Sequence, residues 1–188
     1  VEQQEQIYTA IANVIRKSSE TGQLVQFEEI WTELTGQGLL TSEADDQRPH
    51  LQGVVREVVK RNEDLREIPG AHGIAYFYST QTLSETYAVI LARKKGDPLE
   101  LIAQIVRENS SVYPRPVPLD LFRESPFDLT GEEILACLDK MGQQREYQDI
   151  VQTTTSIGNK FLFSSRHLNP DYASTLAEWL DVGQINNP

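Results

Sequence analysis

Gly73-Ile74-Ala75-Tyr76-Phe77-Tyr78-Ser79 and Gly158-Asn159-Lys160-Phe161-Leu162-Phe163-Ser164 align without a gap at an offset of 85 residues. Each is a glycine followed by a short run of aromatic and apolar side chains ending in serine, the signature of a strand entered through a tight turn. The same offset carries on downstream: Leu83 meets Leu168, Tyr87 meets Tyr172, Ala88 meets Ala173, Leu91 meets Leu176 and Ala92 meets Ala177. Upstream it sets Asp64-Leu65 against Asp149-Ile150. Fixed-offset similarity over segments in a shared order is the mark of an internal repeat.

Farther upstream the match continues with small shifts. Ile11-Ala12-Asn13-Val14-Ile15-Arg16 resembles Ile102-Ala103-Gln104-Ile105-Val106-Arg107, and Phe27-Glu28-Glu29-Ile30-Trp31 resembles Pro118-Leu119-Asp120-Leu121-Phe122. Ile7, Ile11, Val14 and Ile15 recur at helical spacing, as do Ile102, Ile105 and Val106 behind an Asp97 cap and Pro98. A short strand and a second helix are expected around Val25–Leu34 and again around Val117–Arg123. The third helix is expected over Pro49–Asn62, with Leu51, Val54, Val55, Val58 and Val59 inward. In the second copy it is expected over Gly131–Gln143, opened by a Thr130/Glu133 capping box, with Ile134, Cys137, Leu138 and Met141 inward. Strands over Leu65–Ile68 and Ile74–Ser79, and over Tyr147–Thr153 and Lys160–Ser164, form hairpins whose turns carry Pro69-Gly70 and Gly158. Helices over Ser84–Lys94 and Pro170–Leu180 close the copies.

Helix, short strand, helix, helix, hairpin, closing helix is the order of a winged helix-turn-helix, and the chain resembles that superfamily over nearly its whole length. The resemblance implies a mostly helical α+β protein. Two winged-helix units stand in tandem, residues 1–95 and 96–188, each with three helices, a short β-hairpin wing and a closing fourth helix.

Composition bounds the function. The chain has 188 residues and a formal net charge of −11. Residues 1–95 carry −4 and residues 96–188 carry −7, so neither half has the excess of Lys and Arg that non-specific phosphate binding draws on. The single cysteine, Cys137, rules out an internal disulfide or a multi-cysteine metal site. No apolar run approaches the roughly 20 residues of a membrane span. The chain begins Val1-Glu2-Gln3-Gln4-Glu5, without the basic start and apolar core of a signal peptide. The expectation is therefore a cytoplasmic chain, trimmed or processed since it opens without Met. His50, His72 and His167 are scattered, Asp45-Asp46 and Asp181 read as isolated carboxylates, and no phosphate-binding glycine motif is present. Catalytic chemistry shows itself as clustered titratable groups, so the expectation is a non-enzyme with no cofactor and no metal.

Candidate contact residues follow from the winged-helix resemblance, in which the third helix and the wing meet DNA. In the first copy Arg48, Gln52, Arg56, Lys60 and Arg61 crowd that helix, with Gln52, Arg56 and Lys60 sharing a face, against Glu57 and Glu63. The ordinary account is a solvated face paired to local acids. In the second copy the helix carries Glu132, Glu133 and Asp139 against Lys140, and the wing tip is the polar run Thr153-Thr154-Thr155-Ser156. Arg93-Lys94-Lys95 suits a helix C-terminus before Gly96. Trp179 falls opposite Lys94 at the repeat offset; an aromatic there docks onto a partner or onto the chain itself. The favoured reading is a protein-interaction adaptor or regulator. The alternative is a DNA-binding transcription regulator, as a monomer or homodimer, using the first unit. A continuous positive stripe across the third helix and wing argues for DNA, a mixed one for protein.

Overall fold

The strand pairings carry the repeat into three dimensions. In the computed structural model, which describes residues 2–41 and 47–183, the chain divides into two compact units, Val1–Gly96 and Asp97–Pro188. Val1 and the pair Asp45-Asp46 lie outside the described residues. The first unit runs α1 (Glu2–Glu20), β1 (Val25–Gln26), α2 (Phe27–Gly36), α3 (Arg48–Arg61), β2 (Leu65–Pro69), β3 (Ala75–Ser79) and α4 (Glu85–Gly96). The second runs α5 (Pro98–Val112), β4 (Val117–Pro118), a 3-10 helix (Leu119–Arg123), α6 (Gly131–Gln143), β5 (Ile150–Thr154), β6 (Lys160–Ser164) and α7 (Pro170–Glu178). The protein is thus α+β and predominantly helical, with a three-stranded antiparallel sheet in each unit. No helix among the described residues is long and apolar enough to cross a membrane.

Both sheets have the same order, β1-β3-β2 and β4-β6-β5. Leu65 faces Ser79 and Glu67 faces Phe77; Ile150 faces Ser164 and Gln152 faces Leu162. Each residue of the second ladder sits at the 85-residue offset from its counterpart in the first, so pairing as well as sequence is repeated. Period-two alternation on β3 then sorts the aromatics. Phe77 joins Ile11, Ile15, Ile30, Leu34, Val55 and Val58 in the core beneath α1–α3. Tyr76 and Tyr78 face the other way, onto Leu83, Ala88 and Ala92 of the α4 side. In the second unit Phe163 packs with Leu168 and Ala173 in the same manner. Trp31 is core, as the repeat implies.

Local chemistry sets the helix ends. The Asp97 carboxylate accepts the Leu99 N–H at 2.9 Å, and Pro98 occupies the first turn. Thr130 Oγ1 accepts the Glu133 N–H at 3.2 Å while Glu133 Oε2 accepts the Thr130 N–H at 2.7 Å, completing the capping box. At the first hairpin, a Cβ on Gly70 would run into the Tyr76 ring, so the close approach of turn and strand requires glycine.

Three expectations need correction. The second helix of the second copy is only the five-residue 3-10 turn Leu119–Arg123. Pro118 precedes it and Pro126 follows, and the residue before a proline is driven away from helical geometry, which leaves no room for an α-helix. Phe122 is nevertheless fully buried and meets Phe127 edge-to-face at 5.3 Å, filling the place that Trp31 fills in the first copy. Tyr147 is not in a strand: it ends a 3-10 turn, Arg145–Tyr147, and β5 starts at Ile150 because its partner β6 ends at Ser164. Buried Tyr147 donates instead to Glu100 Oε2 at 3.3 Å. Finally, α7 stops at Glu178 and the chain continues as a π-helical turn, Trp179–Gly183.

One polar cluster occurs twice. Arg16 of α1 donates through Nε and Nη2 to both oxygens of Asp64, at 2.9 and 2.7 Å. Ser79 Oγ donates to Asp64 Oδ2 at 2.9 Å, and the Ser79 N–H donates to Ser19 Oγ at 2.8 Å. In the second unit Arg107 grips Asp149 at 2.9 and 2.6 Å, Ser164 Oγ donates to Asp149 at 2.7 Å, and the Ser164 N–H donates to Ser110 Oγ at 2.9 Å. The Arg16 guanidinium, with Ser79 adding a hydrogen bond, holds the Asp64 carboxyl down to about 2. Arg107 and then Ser164 do the same for Asp149, also to about 2. A carboxylate whose folded pKa is depressed stabilises the fold above its ordinary value near 3.8 and loses that contribution as pH falls toward 2. Each clasp is therefore expected to contribute roughly 1–2 kcal/mol at neutral pH after solvent screening, lost between about pH 4 and 2. Urea unfolding at pH 7 and pH 3 measures this. Asp149→Ala, which strands the Arg107 cation, is expected to cost about 2–4 kcal/mol at pH 7 and to flatten the acid dependence of the second unit.

Candidate interaction surface

The third helix of the first unit faces both ways. Leu51, Val55 and Val58 are buried, so helical geometry turns Gln52, Arg56 and Lys60 to solvent along one outward line, and all three are exposed. Arg48 and Arg61 do not join them. Arg48 Nη1 donates to both carboxylate oxygens of Glu28, at 3.2 and 3.1 Å, and its guanidinium lies 5.0 Å from the centre of the Trp31 ring. Arg61 pairs with Glu57 at 2.5 Å and stacks 4.7 Å from the centre of the Tyr8 ring. The Tyr8 hydroxyl donates to the same Glu57 at 2.7 Å. That hydrogen bond first, and the Arg61 charge after it, hold the Glu57 carboxyl below its ordinary value. Arg56 lies 3.4 Å from Glu67 of β2. Three of the four candidate cations thus carry a carboxylate from their own unit, and the face presents mixed charge. Gln52 and Arg56, with Phe27 and Ile74, border a small pocket of about 230 Å3.

The second unit offers less positive charge. Exposed Glu132, Glu133, Asp139 and Lys140 lie on α6, and Asp139 accepts from Gln143 at 3.2 Å. The β5–β6 hairpin is tied down by its own hydroxyls. Thr153 Oγ1 and Ser174 Oγ share a hydrogen bond of 2.9 Å, Thr155 Oγ1 donates to Asp181 at 2.5 Å, and Ser156 Oγ donates to Glu178. Asn159 Nδ2 adds a donor to Asp181 at 2.9 Å. Asp181, expected as an isolated carboxylate, is therefore the latch between hairpin tip and closing helix. Folding brings the two ends of the hairpin-to-helix segment together, and sequence spacing does not reveal that. Trp179 stands 58% exposed on the turn after α7, with Val182 and Gly183 beside it in a shallow depression.

Other singled-out residues are quiet. Lys95 donates to the Leu24 carbonyl at 3.3 Å and lies over Tyr76, which fixes the end of α4. His50, His72 and His167 are separately exposed. Among the described residues no group of three or more His, Cys, Asp or Glu is placed to hold a metal ion.

Sequence reasoning missed a broad groove of about 1090 Å3 in the first unit between the outer face of α1 and α2. The outer face of α1 reads as a solvated stripe of Glu, Gln, Thr and Asn. The one hint is the pair Ala10 and Val14, four residues apart within that stripe.

Residues 94–185 match the model of the YdhW C-terminal domain family, a span that covers the second unit almost end to end. The chain is also similar to Escherichia coli (strain K12) "Uncharacterized protein YdhW", 35% identical over 138 residues, covering 72% of this chain and 64% of that protein. The chain thus spans just under two thirds of the length of the curated relative it matches. No solved structure matches the chain.

Cys137 is buried on the inner face of α6 with Ile134 and Met141, and burial pushes its thiol above the ordinary value. A protonated, covered sulfur is a poor nucleophile. Native protein is expected to react with a neutral-pH thiol reagent at least about a hundredfold more slowly than urea-unfolded protein, measured by absorbance of the released chromophore; equal rates would place the sulfur at the surface.

Proposed function

We propose that this chain is a non-enzymatic protein-interaction module, an adaptor or regulator built from two winged-helix units. In each unit, helix, edge strand, a second helix or turn, a third helix, hairpin and closing helix follow in the winged-helix order, and the equal ladder registers support a duplicated unit.

The observation that carries the functional reading is the neutralised third helix. Arg48, Arg56 and Arg61 are each engaged by a glutamate of the same unit. DNA affinity without sequence preference comes from several free cations displacing counterions from phosphate; to bind here, the face must first give up its own ion pairs. The second unit adds an acidic third helix and a wing whose hydroxyls already hold Asp181 and Glu178. Exposed apolar side chains, Ile157, Tyr172 and Trp179 among them, suit protein contact, where aromatic anchors dominate.

Fluorescence anisotropy with random duplex DNA tests the reading. At about 0.15 M salt the protein is expected to bind no more tightly than the weak end of non-specific binders, about 10⁻⁴ M, and Arg56→Glu/Lys60→Glu is expected to change nothing. Submicromolar binding abolished by that double substitution would promote the first unit to a DNA reader.

A further inference from the structure

Resting on the protein-interaction reading, we infer that the α1/α2 groove of the first unit receives a basic amphipathic helix from a partner protein. Its floor is apolar. Ala10, Val14 and Leu39 are only partly buried by the unit's own core and complete its inner wall. Its rim is acidic: Glu2, Glu5, Glu29 and Glu33 border it, and Lys17 is the single cation among the lining residues. The field over the groove is therefore negative, and an apolar stripe flanked by Lys or Arg is the surface that complements both floor and rim.

Length and shape favour a helix over an extended strand. The lining face of α1 runs from Glu2 to Ser18, roughly 24 Å at 1.5 Å per residue, the length of a helix of between four and five turns. The walls are two helices, and the floor residues on α1, Ala10 and Val14, are spaced to meet side chains at i, i+3, i+4 and i+7 of an incoming helix. The small Ala10 lets that helix approach closely. A second copy of this chain is a poor occupant, because the net charge of −11 sets acidic surfaces against one another.

The test uses the full chain and two synthetic helical peptides of about 18 residues. Both carry Leu at the i, i+3, i+4 and i+7 positions; one is flanked by Lys, the other by Glu. Fluorescence anisotropy at about 0.1 M salt, where screening acts over roughly 10 Å, is expected to show the Lys peptide bound at least tenfold more tightly. Glu5→Lys/Glu33→Lys, at exposed positions, is expected to reverse that preference. Glu108→Lys/Glu124→Lys changes the net charge equally but lies in the second unit, and should leave it intact. Ala10→Trp, which fills the floor, is expected to weaken the Lys peptide at least tenfold with an unchanged circular dichroism melt. Loss of preference in the second-unit control, or indifference to Glu5→Lys/Glu33→Lys and Ala10→Trp, would overturn the inference. So would concentration-dependent dimerisation, in sedimentation, that Ala10→Trp abolishes. If neither peptide nor DNA binds, the groove assignment fails while the interaction-module reading stands; DNA binding sensitive to Arg56→Glu/Lys60→Glu would remove the reading itself.

Discussion

In each unit a helix, the entry to a strand and the end of a hairpin meet at one carboxylate. Asp64 precedes β2, Arg16 lies on α1 and Ser79 ends β3; Asp149, Arg107 and Ser164 repeat the arrangement. The geometry answers a problem of backbone and charge. The strand-end N–H of Ser79 or Ser164 points into the unit away from its ladder, and a serine on the first helix accepts it. A mostly buried aspartate is tolerable only when its oxygens are filled, and a two-pronged guanidinium with a hydroxyl does so. With the base of the hairpin clamped to the first helix, register is set from that end. Aromatic alternation then sends Phe77 to one core and Tyr76 and Tyr78 to the other.

The two units diverge away from the clasp. The first keeps a full second helix and, with it, the wall that forms the groove against α1. The second compresses that element into a 3-10 turn between prolines, and its hairpin hydroxyls bind Asp181 and Glu178. The two frames therefore present different surfaces, a concave acidic face in the first unit and an exposed aromatic, Trp179, in the second. Residues 94–185, the stretch similar to the YdhW C-terminal domain family, lie almost wholly in the second unit.

Charge distribution separates the candidate functions more sharply than net charge does. A local basic patch on an acidic body can bind DNA, so the value of −11 alone leaves the question open. What decides the field over α3 is which carboxylates stand beside its cations. Glu28 comes from α2, Glu67 from β2 and Glu57 from α3 itself. Of these, only the Arg61–Glu57 pair follows a helical i, i+4 spacing that a linear reading can use.

Repeat, hairpins, capped helix starts and inward faces were all legible in the sequence, because each rests on local periodicity or on a cap spanning three or four residues. The letters of the clasp were legible too: Arg16 and Arg107, Asp64 and Asp149, Ser79 and Ser164 fall in the aligned segments. Their meeting was not, since Arg16 and Asp64 are 48 residues apart and only packing of α1 on the sheet joins them. The Asp181 latch, the exposure of Trp179 and the acidic groove were likewise hidden. The latch and the groove depend on segments distant in sequence meeting, and Trp179 stays exposed because no other segment covers it; one-dimensional periodicity can mark which face of a helix is apolar but not which neighbour leaves a gap beside it. The sequence determined the elements and their repetition; tertiary packing decided which charges were neutralised and which surfaces stayed open.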